Sequence, residues 1–272
     1  MPASRREFLK TSFVLGTAAS LRPEWLPAAP PFALRFAVAS DGHYGQPNSN
    51  SEKDFGDVVR WMEEEKRRAG LDFVVFNGDL FHDDPKHLPA VKKAFDRLTM
   101  PYFVTRGNHD MVSADGWQQT WGYPLDHSFV RGDYAFLLLD TSEGTGKYVC
   151  PNLDFMRAEF SKHSDKKGIH VFMHISPVPG AGFGTNCPEV LELLDKTPNV
   201  KAIYHGHDHD ADGRKAVGSK SYFWDAHFGG SWGTAYKGYR ITEISPDGYW
   251  KTYQYNPTAS PVINAYDGKI SF

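Results

Sequence analysis

Five short polar clusters, each closely following an apolar run, constrain this chain more than any other feature. Asp41-Gly42-His43 follows Leu34 to Ala39, and Gly78-Asp79 follows Phe73 to Phe76. Gly107-Asn108-His109-Asp110 comes after Tyr102-Phe103-Val104. His174 follows His170 to Met173, and Gly206-His207-Asp208-His209 follows Val200 to Tyr204. Short apolar runs bounded by turn residues read as buried strands. Open α/β sheets gather ligands beyond the carboxyl ends of their strands. Such a fold aims Asp, Asn and His from five strand ends at one place.

The intervening segments supply the helices. Phe55, Val58, Val59 and Met62 fall at helical spacing, in a helix ending near Gly70. Leu88, Val91, Phe95 and Leu98 mark a second helix, and Leu153, Met156 and Phe160 a third. A fourth begins at Pro188, a residue well tolerated at the first helical position. Phe129-Val130 and Tyr134 to Leu139 read as a hairpin around Arg131-Gly132-Asp133. Tyr239 to Ile244 and Tyr249 to Tyr255 flank the turn Ser245-Pro246-Asp247-Gly248. Met111 to Asp126 and Ser176 to Asn186 are expected as irregular loops, and residues 257–272 as a surface tail. Strand–helix alternation followed by antiparallel strands predicts an α/β fold, with two mixed sheets face to face and helices outside. One domain, residues 31–256, is expected; a chain of 272 residues with 40% hydrophobic content need not split.

A hydrolytic two-metal site needs hard or borderline ligands, one carboxylate able to bridge, and open positions for water and substrate. Asp, Asn and His without Cys fit Mn, Fe, Zn or Co better than a closed structural zinc site. The series Asp41-x-His43, Gly78-Asp79, Gly107-Asn108-His109-Asp110, His174, Gly206-His207-x-His209 resembles the calcineurin-like metallophosphoesterase superfamily. All five blocks are present and in order. The resemblance implies a four-layer αββα sandwich holding two divalent or mixed-valence metal ions. It implies that Asp41, His43 and His209 bind the first metal and Asn108, His174 and His207 the second, with Asp79 bridging. It also implies that His109 is no ligand but lies over the substrate as a catalytic residue, paired with Asp110. The implied reaction is hydrolysis of small phosphate mono- or diesters by metal-activated hydroxide.

The first block is similar to that of the bacterial cyclic-nucleotide and glycerophosphodiester phosphodiesterase branch. A protein phosphatase is disfavoured, because Gly78-Asp79 is not followed by the Asp-Arg-Gly of that branch. A non-catalytic scaffold on the same fold is the rival of a different class, and such members usually lose ligands. His82 stands where purple acid phosphatases carry a tyrosine ligand; a rim position is expected for it. His205 and His227 are expected to pack or hydrogen-bond. Arg106 is open between a phosphate contact and a structural ion pair. Loops Tyr44 to Asn50, Met111 to Asp126, Ser176 to Asn186 and Gly229 to Ala235 are expected to set specificity. Trp117, Trp121, Phe183 and Trp232 are candidates for an apolar or base-stacking wall, or for loop packing.

Residues Ser4-Arg5-Arg6-Glu7-Phe8-Leu9-Lys10 resemble a twin-arginine export signal, followed by a mildly apolar stretch with small residues. Residues 1–30 are therefore expected to be a signal segment read by the twin-arginine export machinery, and the product to be periplasmic or extracellular. Mean hydropathy is -0.49 and no apolar run approaches the ~20 residues of a membrane span, so no transmembrane anchor is expected. Net charge is -3, and -5 without residues 1–30, which carry four Lys/Arg and two Asp/Glu. That balance gives no basic field for a dedicated nucleic-acid binder. Cys150 and Cys187 would meet an oxidising compartment. A bridge clamping two rim loops and a pair of free thiols both remain open, because spacing does not place their Cα atoms.

Overall fold

The computed structural model describes residues 32–180, 182–257 and 263–269. The expected export signal lies outside the described residues. Two six-stranded mixed sheets form the centre. The first runs β12-β11-β10-β1-β2-β3, where β1 is Leu34–Ala39, β2 Phe73–Asn77, β3 Tyr102–Thr105, β10 Tyr239–Ile244, β11 Tyr249–Tyr255 and β12 Ile263–Lys269. Its β1, β2 and β3 are parallel; β10, β11 and β12 add antiparallel. The second runs β4-β5-β6-β7-β9-β8, with β4 His127–Arg131, β5 Tyr134–Leu139, β6 Gly168–Met173, β7 Val200–His205, β8 Arg214–Val217 and β9 Lys220–Trp224. In it β5, β6, β7 and β9 are parallel, and the edges β4 and β8 are antiparallel.

The layering follows from the two-residue period of the strands. On β1, Phe36 and Val38 point into the space between the sheets, while Ala37 and Ala39 face outward. The inter-sheet core packs Phe36 against Phe73, Phe136, Phe172 and Tyr204, with ring centroids 5.0–6.2 Å apart. Outside the first sheet lie helices α1 (Ser51–Ala69) and α2 (Leu88–Phe95), which bury Phe55, Val58, Met62, Val91 and Phe95. Outside the second lie α4 (Leu153–Lys162) and α5 (Pro188–Lys196), burying Met156, Phe160, Val190 and Leu194. Central strands covered on both faces explain why they read as continuous apolar runs. This is the αββα sandwich expected.

Two segments differ from expectation. Residues 114–121 of the expected loop form a helix, α3 (Ala114–Trp121), capped by the Ser113 hydroxyl accepting from Gly116 N–H. It inserts Trp117 into the core of the first sheet, with Trp121 packed against that core. Both indoles therefore pack in the fold instead of forming a substrate wall. Within 257–272, expected as a tail, Ile263–Lys269 pairs antiparallel with β11 as the edge strand β12. Among the described residues, no helix is long and apolar enough to cross a membrane.

Candidate metal centre

The carboxyl ends of β1, β2 and β3 in one sheet, and of β6 and β7 in the other, deliver the polar clusters to the seam between sheets. Asp41 and His43 follow β1, Asp79 follows β2, and Asn108 and His109 follow β3. His174 follows β6, and His207 and His209 follow β7. Backbone strain accompanies this placement. Asp41, His43, Asp79 and His207 all sit at positive φ, between 47° and 69°. For residues other than glycine that conformation is uncommon, and it concentrates at functional sites. The motif glycines are required for a different reason, close approach. A Cβ on Gly107 would overlap the Asp79 carboxylate and amide, and one on Gly206 would press on Asp41 and His174.

Two donor groups share Asp79. Asp41, His43, Asp79 and His209 present ligand atoms within 4.8 Å of one another, as do Asp79, His174 and His207. His209 Nε2 lies 3.1 Å from Asp41 Oδ1 and 2.8 Å from His43 Nε2. His174 Nε2 lies 3.1 Å from Asp79 Oδ2. Neighbouring backbone holds these groups in place. Asp41 accepts from His207 N–H at 3.0 Å, and Asp79 Oδ1 from His109 N–H at 2.8 Å. His174 Nδ1 donates to the Asn77 carbonyl at 2.8 Å, and His209 Nδ1 to that of Trp232 at 3.1 Å. A carbonyl only accepts, so each ring turns Nε2 toward the cluster.

The donors fit divalent cations on two observations. Asn108 Oδ1, His174 Nε2 and His207 Nε2 are buried without a hydrogen-bond partner. Such atoms are expensive to leave unsatisfied, and a cation held between His174 and His207 satisfies both ring nitrogens. Further, Asp41 and Asp79 are buried, and among the described residues their only ion-pair neighbours are imidazoles. Burial alone would raise the Asp41 pKa, but His209 and His174 hold it well below the usual carboxylate range. The cluster draws positive charge.

His109 stands beside these groups, its ring 5.0 Å from that of His43 and stacked on His82 at 4.6 Å. Its expected partner is not the one observed. Asp110 turns inward and accepts from the N–H groups of Leu80, Phe81 and Gly107. Asp83, at φ 60°, takes the place beside His109 Nδ1 at 2.7 Å. Sequence reasoning misses Asp83 because an acid near Gly78-Asp79 carries no spacing signal. His82 faces His43, Nδ1 to Nδ1 at 3.2 Å, a rim position. Arg106 makes a structural ion pair with Asp140. His205 donates to the Met173 carbonyl and packs on Tyr222 and Trp224. His227 stacks on His209 between the carbonyls of Gly229 and Thr234. Asp208 accepts from the Trp224 indole and from Phe183 N–H, tying the 176–186 loop to the site. Cys150 and Cys187 form a disulfide, with Cα atoms 5.8 Å apart.

The calcineurin-like phosphoesterase family model matches residues 34–211, a span that contains every donor named above. A 3',5'-cyclic-nucleotide phosphodiesterase of Nostoc sp. is 25% identical over 241 residues, covering 79% of this chain and 86% of that protein. A 3',5'-cyclic AMP phosphodiesterase of Haemophilus influenzae is 26% identical over 174 residues, 59% of this chain and 62% of that one. Among solved structures, a dimetal phosphatase from Danio rerio superposes with a TM-score of 0.70 at 15% identity, covering 89% of this chain and all of that one.

Proposed function

Because this chain belongs to the calcineurin-like phosphoesterase family, we propose that it hydrolyses small phosphate mono- or diesters at a dinuclear cation centre. The observation that carries this reading is the Asp79 carboxylate shared by two donor groups, one of which holds His174 Nε2 and His207 Nε2, both buried and without a hydrogen-bond partner. In this assignment Asp41, His43 and His209 would hold one cation and Asn108, His174 and His207 the other, with Asp79 shared between them. Divalent cations there supply Lewis acidity toward a phosphoryl group and lower the pKa of water.

The protein's own groups do the remainder. The backbone amides of His207 and His109 fix the two carboxylates, so the donors need not reorganise during the reaction. His109, oriented by Asp83, is placed to donate a proton or hydrogen bond to the leaving oxygen. Two cyclic-nucleotide phosphodiesterase relatives support a diester as substrate. We further propose that the protein acts in the periplasm or outside the cell. The Arg5-Arg6 segment and the Cys150–Cys187 bridge support this reading. A fusion of residues 1–40 to a reporter should be exported, and Arg5→Lys/Arg6→Lys should block it.

The central test is hydrolysis of bis(p-nitrophenyl) phosphate and p-nitrophenyl phosphate by protein loaded in turn with Mn, Fe, Zn or Co. Turnover abolished by a chelator and restored by metal is expected. No turnover with any of the four would favour the scaffold reading.

A further inference from the structure

Five large apolar side chains are exposed among the described residues, and three of them stand around the metal centre. Phe183 is 61% exposed, Trp232 46% and Tyr148 37%. Trp232 lies flat on His209, 4.1 Å between ring centroids and 10° from parallel, so one face is already covered. Tyr148 and Phe183 differ. Each meets the His207 ring near a right angle, at 5.1 Å and 5.9 Å. Two exposed ring systems thus converge on one donor imidazole from two separate loops.

Those loops have little else in common. Tyr148 sits on a small turn closed by the Ser142–Tyr148 bridge and by Val149 N–H to the Thr141 carbonyl. Gly146 on that turn approaches the Asn108 carbonyl too closely to accept a Cβ. Phe183 belongs to the 176–186 loop, tied down by its own N–H to Asp208 and by Thr185 N–H to the Ser176 carbonyl. Cys150 lies two residues beyond Tyr148, and Cys187 closes the loop that carries Phe183.

We infer that Tyr148 and Phe183 form an aromatic clamp for a flat, unsaturated ester group of the substrate, set at its working spacing by the Cys150–Cys187 bridge. The inference rests on the phosphoesterase reading and names the substrate class: phosphoesters whose organic group presents a π face. Exposed rings next to a polar centre gain most from such a group, since stacking onto protein aromatics is tolerant of ring identity. The bridge lowers the number of loop arrangements that must be frozen out when the group binds.

The test is direct binding of phenylphosphonate and methylphosphonate to the manganese-loaded full chain by calorimetry, which needs no turnover. Phenylphosphonate should bind about tenfold more tightly. In Tyr148→Ala/Phe183→Ala that preference should fall to about twofold or less, with methylphosphonate affinity retained. Cys150→Ser/Cys187→Ser, and wild type reduced by a phosphine, should lose part of the preference in the same way. An unchanged preference in the aromatic variant, or equal losses for both phosphonates, overturns the clamp. A folded cysteine variant or folded reduced protein with full preference overturns the bridge's part in it. Failure of both phosphonates to bind with any metal, together with no turnover, overturns the phosphoesterase reading itself.

Discussion

Removing the His109 ring should slow turnover while leaving the cations in place. Its backbone N–H, not its side chain, supports Asp79, and that bond survives truncation. His109→Ala is therefore expected to keep a metal content near two per chain by elemental analysis, with kcat lower by about 10²-fold. Loss of both metals would make His109 a ligand instead. Asp110→Ala should behave differently, since three backbone N–H groups lose their acceptor. A stability loss of about 2–4 kcal/mol by denaturant titration is expected. Gly107→Ala forces a methyl group into Asp79, so this variant should bind metal poorly even where it folds; isothermal titration with Mn reads this directly. The donor set is legible in the sequence because each member follows an apolar run and several adjoin a glycine whose hydrogen is all the crowded seam admits. Asp83 is not, because its role depends on how the His109 ring turns, and adjacency in the chain favours Asp110 instead.

Among elements, the Cys150–Cys187 bridge joins the turn after β5 to the first residue before α5, across a sequence separation of 37. Chain-entropy reasoning for a loop of that size gives about 3–4 kcal/mol of stabilisation. Cys150→Ser/Cys187→Ser should lose about that amount in a denaturation midpoint measured against wild type, and reduction of the wild type should give the same loss. Helices α1, α2, α4 and α5 and the β10–β11 hairpin are legible because an apolar stripe or a Pro-Asp-Gly turn announces them. Helix α3 hides because it is short, carries Gly116, and offers only Trp117 and Trp121 at helical spacing. Strand β12 hides because Asp267, Gly268 and Lys269 break the alternation, which an edge strand tolerates.

At the scale of the whole molecule, acid should destabilise the fold through imidazoles buried away from the metal centre. Burial pushes His127 down to about 4 and His170 to about 3, while an unfolded chain titrates both near 6.5. Between these values the unfolded chain binds protons that the folded one excludes. The contribution is therefore complete above about pH 6.5 and lost as pH falls toward 4. About 2 kcal/mol per histidine should be gone by pH 5. His127→Phe should flatten the acid limb of a stability–pH curve measured by urea denaturation; an unchanged limb would show that this ring titrates in the folded state.

The seam itself has a temporal consequence. Asp41, Asp79 and Asn108 come from the N-terminal strands of one sheet, and His174, His207 and His209 from the other. A chain emerging from the ribosome thus carries an incomplete set of claws until residue 209 has been synthesised and both sheets have closed. A chain stopped short of residue 209 should therefore hold no tightly bound cation, which elemental analysis of the truncated product would read.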